Sequence, residues 1–293
     1  MRVLVTGARG KVGRATVAAL VAGGHEVVAT DLGLPTFERE GPEEPAYVQA
    51  RLDEAGDAFA VVRGAEAVVH AAAIPDPVHS PPDTVFRNNL MATFNALEAA
   101  VRWGVPRFVN ISSETVPGFV FAERPFPPDY LPFDEEHPNR PQDPYALAKH
   151  FGEQLMDAAV RRSNIRCLTI RPSWVQHEGT YARNIGPMVR DPFSPSANGW
   201  SYIDVYDLAA AIRLAVESDL PGHEVFFIAS PDNATGRSLT ELVAAAHGDA
   251  VPLRLPEGAR PDASGISCEK AARLRDKVKQ LRSKDLGLAG SRN

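Results

Sequence analysis

Tyr145 and Lys149 stand four residues apart in the run Pro144-Tyr145-Ala146-Leu147-Ala148-Lys149, which reads as the start of a helix. Four residues is about one helical turn, so a phenol and an ammonium share a face. A free phenol titrates near pH ~10 and is a poor base at neutrality, but a neighbouring positive charge favours its ionised form. Such a pair can move a proton to or from an alcohol. Upstream, Thr6-Gly7-Ala8-Arg9-Gly10-Lys11-Val12-Gly13 lies between a strand-like run and a helix-like run. Gly7 permits a tight turn, Gly10 lets backbone N–H groups approach a pyrophosphate at the helix N-terminus, and Gly13 allows helix and strand to meet closely. A second strand-like run ends in Asp31, about where a carboxylate accepts hydrogen bonds from the adenosine ribose of NAD. A dinucleotide site and a proton-transfer pair are therefore expected in one chain.

The elements that must position these groups alternate along the first 170 residues. Strands are expected at 3–6, 26–30, 46–49, 67–70, 107–111 and 166–170, with helices near 11–22, 55–62, 83–103 and 144–162. Apolar strands alternating with helices predict an α/β fold, a Rossmann-type doubly wound parallel sheet, with ligands at the carboxyl ends of its strands. Three strand ends should open onto one crevice: the glycine loop, His70-Ala71-Ala72-Ala73, and Ser112-Ser113. The small alanines would let a cofactor lie against backbone. His70 reads equally well as a satisfied strand-end histidine or as a functional one, and Asn88 and Asn89 as helix-opening caps. Residues 1–171 are expected to form the NAD-binding domain and 172–293 a smaller, mainly substrate-binding lobe, with the helix near 205–217 packing back on the first domain.

The stretch 117–141 is rich in proline, phenylalanine and acids without a regular period, and its aromatics Phe119, Phe121, Phe126, Tyr130 and Phe133 predict an ordered flap packed on the body. Residues 172–199 should be irregular and border the substrate. A helix near 205–217, a strand at 224–229 and helices near 238–247 and 269–281 complete the reading. The basic residues Lys270, Arg273, Arg275, Lys277, Lys279 and Arg282 read as a solvated helix face. A net charge of −6 argues against nucleic acid as a partner, which needs clustered cations. Two cysteines, Cys167 and Cys268, are too few for a disulfide framework and have no metal-ligand spacing, so a reducing cytoplasm and no metal are expected. No apolar run reaches bilayer-spanning length and no leader-like segment precedes the first strand, so a protein that is neither membrane-bound nor exported is expected.

Taken together, TGARGKVG at 6–13, Asp31, HAAA at 70–73, NNLMAT at 88–93, NISSETVPG at 110–118, YALAK at 145–149 and RPSWV at 171–175 resemble the extended short-chain dehydrogenase/reductases, specifically the NAD-dependent epimerase/dehydratase family. The resemblance implies Tyr145 as general acid/base, Lys149 as its partner and a ligand of the nicotinamide ribose, and Ser113 as the hydrogen-bond donor to the reacting oxygen. It further implies Gly7, Arg9, Gly10, Lys11, Val12, Gly13, Asp31, Leu52, His70, Ala71, Ala72, Asn89 and Pro172 around the cofactor. Ser113, Glu114, Trp174, His177 and Arg183 are then the candidates facing substrate, Arg183 as a bidentate partner for a carboxylate. A homodimer through the long helices is also implied. Nucleotide-sugar epimerases of the family usually carry an asparagine where this chain has Trp174, and an arginine where it has Trp200, both facing a diphosphate. Arg51 replaces an aspartate expected on the adenine. Arg9 hints at NADP, whereas Asp31 would repel a 2′-phosphate, so NAD is the expected cofactor. The expected function is NAD-dependent oxidation of a sugar or sugar acid. The alternatives are a UDP-sugar epimerase with bound NAD and, from another class, a dinucleotide sensor without turnover.

Overall fold

The computed structural model describes residues 1–33 and 45–273. Seven parallel strands form one sheet: β1 (Arg2–Thr6), β2 (Glu26–Asp31), β3 (Ala46–Gln49), β4 (Ala67–His70), β5 (Arg107–Ile111), β6 (Arg166–Pro172) and β9 (His223–Ile228), in the order β3-β2-β1-β4-β5-β6-β9. The order reverses at β1, so the loops after β1 and β4 part there and leave a crevice at their carboxyl ends. A minor pair, β7 (Val175–Gln176) and β8 (Ile203–Asp204), lies beside it.

Strand residues alternate between two apolar layers. Val3, Val5, Val69, Val109 and Ile170 pack with Leu20 of α1 (Lys11–Ala22) and with Leu208 and Ile212 of α7 (Val205–Glu217). Leu4, Val68, Phe108 and Cys167 point the other way, onto Ala96 and Ala100 of α3 (Pro82–Arg102) and Met156 of α4 (Pro144–Arg162). Helix α2 (Ala55–Val62) completes that side. Both faces are covered, which is why the central strands β1, β2, β4, β5 and β6 are buried along most of their length, whereas the edge strand β3 is largely exposed. Burial in this second layer pushes the Cys167 thiol up to about 12, so it serves as packing.

The stretch 117–141 packs on the body, as its aromatics predict. Phe119, Tyr130, Leu131 and Phe133 are buried with Trp200, Phe227, Leu239 and Leu242 in a third cluster, and Phe133 N donates to Gly265 O. Phe121 departs from the expectation: it is 40% exposed, at φ 63°. Residues 172–199 contain two short helices, α5 (Tyr181–Asn184) and α6 (Gly186–Arg190), and α8 (Leu239–His247) follows β9. The expected last helix is helical from 269 to 273, while its continuation and Arg275, Lys277, Lys279 and Arg282 lie outside the described residues.

Candidate active site

At the glycine loop, Gly7 sits at φ 64°, and a Cβ there would come within 2.8 Å of the Ala71–Ala72 backbone. Only a residue without a side chain lets the loops after β1 and β4 touch. A side chain on Gly13 would run into the Gly7 carbonyl, which brings α1 against the loop. No side chain caps α1 and its first turn carries no acid, so the N–H groups of that turn are left for an anion. Beside them, Asp31 accepts hydrogen bonds from Arg9 N at 2.8 Å and Leu32 N at 2.7 Å. The Arg9 guanidinium lies over the Tyr47 ring, 4.5 Å from its centre, rather than in open solvent.

A cleft of about 710 Å³ runs from Asp31 and Leu52 past the glycine loop to Ala72, Ile74 and Asn88. Of the expected cofactor residues, Gly7, Arg9, Gly10, Lys11, Val12, Gly13, Asp31, Leu52, Ala71 and Ala72 line it. Arg51 points away into an ion pair with Asp53, and it is Asp53 that lines the cleft. The glycine cradle, the uncapped helix start and the carboxylate fit a dinucleotide.

His70 and Asn89 act one layer below. Thr6 Oγ1 accepts Ala72 N–H and faces His70 Nδ1 at 3.0 Å, His70 Nε2 meets Thr93 Oγ1, and Thr93 donates to Asn89 O. Burial holds His70 neutral, with its pKa lowered to about 3. Asn89 lies in the second turn of α3, too far in to cap it. Its Oδ1 accepts Ile74 N–H and its Nδ2 donates to Ile74 O, fixing the loop after β4. Its neighbour Asn88, one helical step round, faces the cleft; a helical period alone does not say which of the two does so.

Past the carboxyl end of β5, at the start of α4, stand Ser113, Tyr145 and Lys149. Asp143 caps α4, its Oδ1 accepting from Tyr145 N at 3.0 Å and Ala146 N at 2.9 Å, which sets the turn that carries Tyr145. Burial pushes the Tyr145 phenol up to about 12; its hydrogen bond with Ser113 pulls it down, while Asp143, Glu114 and Asp76 push it further up. Ser113 Oγ accepts Thr115 N–H at 3.1 Å while its side chain is hydrogen-bonded with Tyr145. Lys149 Nζ donates to Ile111 O at 2.7 Å, lies 5.7 Å from the Tyr145 ring centre, and is lowered by burial to about 8. Burial thus outweighs the ammonium effect expected from the spacing.

Glu114 is fully enclosed. Ser173 Oγ donates to its Oε2 at 2.7 Å, Asn198 Nδ2 reaches both oxygens at 3.3 Å, and its backbone N–H meets Pro172 O. Its carboxyl is pushed up to about 8 by burial, against those two hydrogen bonds. Trp174, at the end of β6, is 37% exposed. His177 is half-buried in a local turn with Thr180, and Arg183 is exposed on α5 with its Nε on Asn184. Lys11 reaches across to Val175 O at 2.9 Å. Spacing gave no sign of Asp76 and Asp143 as neighbours of Tyr145.

The chain matches the NAD dependent epimerase/dehydratase family over residues 3–229. It is 31% identical to an L-arabinose 1-dehydrogenase (NAD(P)(+)) of Haloferax volcanii, over 75% of this chain and 84% of that protein. It is 26% identical to a UDP-glucose 4-epimerase of Corynebacterium glutamicum, over 92% and 88% of the two chains. Its fold superposes on the crystal structure of the Thermus thermophilus UDP-glucose 4-epimerase complex with NAD at a TM-score of 0.66, with 26% identity and 94% and 93% of the chains covered. The sheet order, the glycine cradle and these likenesses agree, and the chain belongs to the NAD dependent epimerase/dehydratase family of sugar dehydrogenases and epimerases.

Proposed function

We propose that the chain oxidises a hydroxyl of a free sugar or sugar acid, with Tyr145 taking the hydroxyl proton. The observation that carries this reading is the meeting of Ser113, Tyr145 and Lys149 at the carboxyl end of β5, on the same edge of the sheet as the dinucleotide cradle after β1 and β4. Bound NAD supplies the hydride acceptor. Ser113, which accepts Thr115 N–H and is hydrogen-bonded with Tyr145, would turn its hydroxyl to the substrate oxygen when substrate enters. Lys149 is close enough to stabilise a developing phenolate, and Asp143 fixes the backbone that aims Tyr145. The glycine loop and the free first turn of α1 would hold the pyrophosphate, and Asp31 the adenosine ribose, where its carboxylate disfavours a 2′-phosphate.

Net oxidation is favoured over UDP-sugar epimerisation by the two tryptophans. Trp200 is 1% exposed, its indole N–H donating to Ser194 O within the third apolar cluster, so an aromatic fills a place where a diphosphate-binding arginine is usual. The epimerase relatives keep the second reading open to test. With purified protein, NAD and panels of free sugars, sugar acids and UDP-sugars, stoichiometric NADH from a free sugar or sugar acid is the expected result. Interconversion of a UDP-sugar without NADH accumulation would establish the epimerase instead. The two cysteines are free thiols, which supports a reducing compartment, and no helix among the described residues is long and apolar enough to cross a membrane.

A further inference from the structure

We propose that Glu153, through Ser112 and Arg171, is a positioning residue that fixes Ser113 against Tyr145, so that the two hydroxyls meet one substrate oxygen. This rests on the roles given to Ser113 and Tyr145 above, and is the same for net oxidation and for epimerisation. Along α4, Tyr145, Lys149 and Glu153 recur every four residues and share a helix face. Each ties that helix to the end of β5. Tyr145 is hydrogen-bonded with Ser113, Lys149 Nζ donates to Ile111 O at 2.7 Å, and Ser112 Oγ donates to Glu153 Oε1 at 2.6 Å. Three side chains, one from each of three successive turns, thus hold residues 111–113, and the third of them has no part in the proton chemistry.

Glu153 also grips the neighbouring strand. Ile111 pairs with Ile170 in the parallel register, so Ser112 and Arg171 come next, side by side on the face that α4 covers. Arg171 donates from Nε to Oε1 at 2.8 Å and from Nη2 to Oε2 at 2.6 Å, while Ser112 N donates to Ile170 O at 2.7 Å. One carboxylate therefore joins α4, the residue before Ser113 and the end of β6, and all three side chains are buried. Stability is a poor account of this arrangement. Desolvating two charges offsets their attraction, so a buried ion pair returns little net stability, and Arg171 Nη1 has no hydrogen-bond partner among the described residues. What the pair supplies is direction: the guanidinium fork fixes the plane of the carboxylate, and that plane fixes where Ser112 Oγ can sit. Ser113 Oγ meets Thr115 N–H, of its own loop, and Tyr145, so a displacement of Ser112 passes to it directly.

A mutant cycle on turnover tests this, using the substrate that the panel of free sugars, sugar acids and UDP-sugars identifies and following NADH formation or UDP-sugar interconversion accordingly. Ser112→Ala deletes the tie to the β5 end and leaves the Glu153–Arg171 pair whole. It is expected to lower kcat about 10-fold with KM within about 2-fold, because misaligned groups are lost to the transition state and not to substrate binding. The NAD dissociation constant measured by titration should stay within about 2-fold, the cradle lying on other loops. In a Ser113→Ala background, where no hydroxyl is left to aim, the same change should cost less than about 2-fold. Glu153→Leu combined with Arg171→Met exchanges the pair for apolar side chains of similar size, which a fold tolerates, and should lower kcat by at least the same factor. Wild-type kcat in Ser112→Ala or in the apolar pair, or an equal loss with and without the Ser113 hydroxyl, overturns the positioning role while leaving the roles of Ser113 and Tyr145 intact. If Ser113→Ala and Tyr145→Phe themselves turn over at the wild-type rate, those roles fall, and this inference with them.

Discussion

The acidic, buried setting of Tyr145 makes its hydroxyl a weak acid until ligands enter, since burial has lifted it to about 12 with only Ser113 pulling the other way. The phenol must therefore act as a positioned proton carrier rather than as a standing phenolate, and removing its oxygen should abolish the proton step alone. Tyr145→Phe is expected to lower turnover by about 10²- to 10⁴-fold, the range for a positioned acid/base, while NAD binding measured by titration stays within a few-fold. Glu114 gives a separate prediction. Its folded pKa, about 8, lies above the ordinary carboxyl value, so the folded state holds its proton where the unfolded chain has released it. Stability should then fall as pH rises from about 4.5 to 8, at a slope on the order of 1 kcal/mol per pH unit from this group. Glu114→Gln keeps the Ser173 and Asn198 partners and cannot ionise, so urea denaturation from pH 5 to 8 should show that slope removed. A variant with the wild-type slope would mean that the carboxyl is not held protonated.

At the scale of elements, the cleft owes its shape to pairs of loops that meet backbone to backbone, and the deepest tie is between α3 and the loop after β4. Asn89→Ala removes both hydrogen bonds to Ile74 and leaves its part-buried N–H and C=O without those partners, so a cost of about 1–3 kcal/mol and weaker NAD binding are expected. Asn88→Ala, on the cleft side, should weaken NAD binding with a smaller loss of stability; equal losses from both variants would mean that Asn89 does not hold the loop. These elements differ in how far their sequence discloses them. The glycine loop is legible because steric demands at Gly7 and Gly13 admit one residue type, and the strands because burial on both faces requires continuous apolar runs. The carboxyls around Tyr145 are not legible, since Asp76, Glu114 and Asp143 come from three separate loops brought together only by the sheet order. The stretch 117–141 was half legible: its aromatics announce packing, but that their partners are Trp200, Phe227 and Leu239 is a tertiary fact without local signature. Composition likewise cannot tell that Arg171 is consumed by Glu153.

For the whole molecule, two sides of the sheet are closed by its own helices, yet the outer surface of α3 and α4 keeps large apolar groups in water. Met91 and Phe94 on α3 are 38% and 41% exposed, and Phe151 on α4 is 43% exposed and packs edge-on against Phe86 of α3 at 6.1 Å between ring centres. Exposed aromatic and methionine side chains grouped across two neighbouring helices are a characteristic of interfaces, since each buried side chain of this size returns about 1.5–3 kcal/mol. We propose that two copies of the chain pair through this surface around a two-fold axis, α3 and α4 of one protomer against those of its partner. Each copy has a mass of 31.6 kDa, so sedimentation should report a species of twice that mass. Phe94→Glu combined with Phe151→Glu places four carboxylates in the shared surface of a dimer, two from each copy, and should yield monomer. Phe151 stands less than two helical turns from Tyr145 and Phe94 two residues past the cleft-lining Ala92, but both side chains are exposed on the outer surface, so the monomer should still bind NAD in titration. A wild-type chain that sediments as monomer at tens of micromolar, or a double variant that stays dimeric, would place the interface elsewhere or remove it.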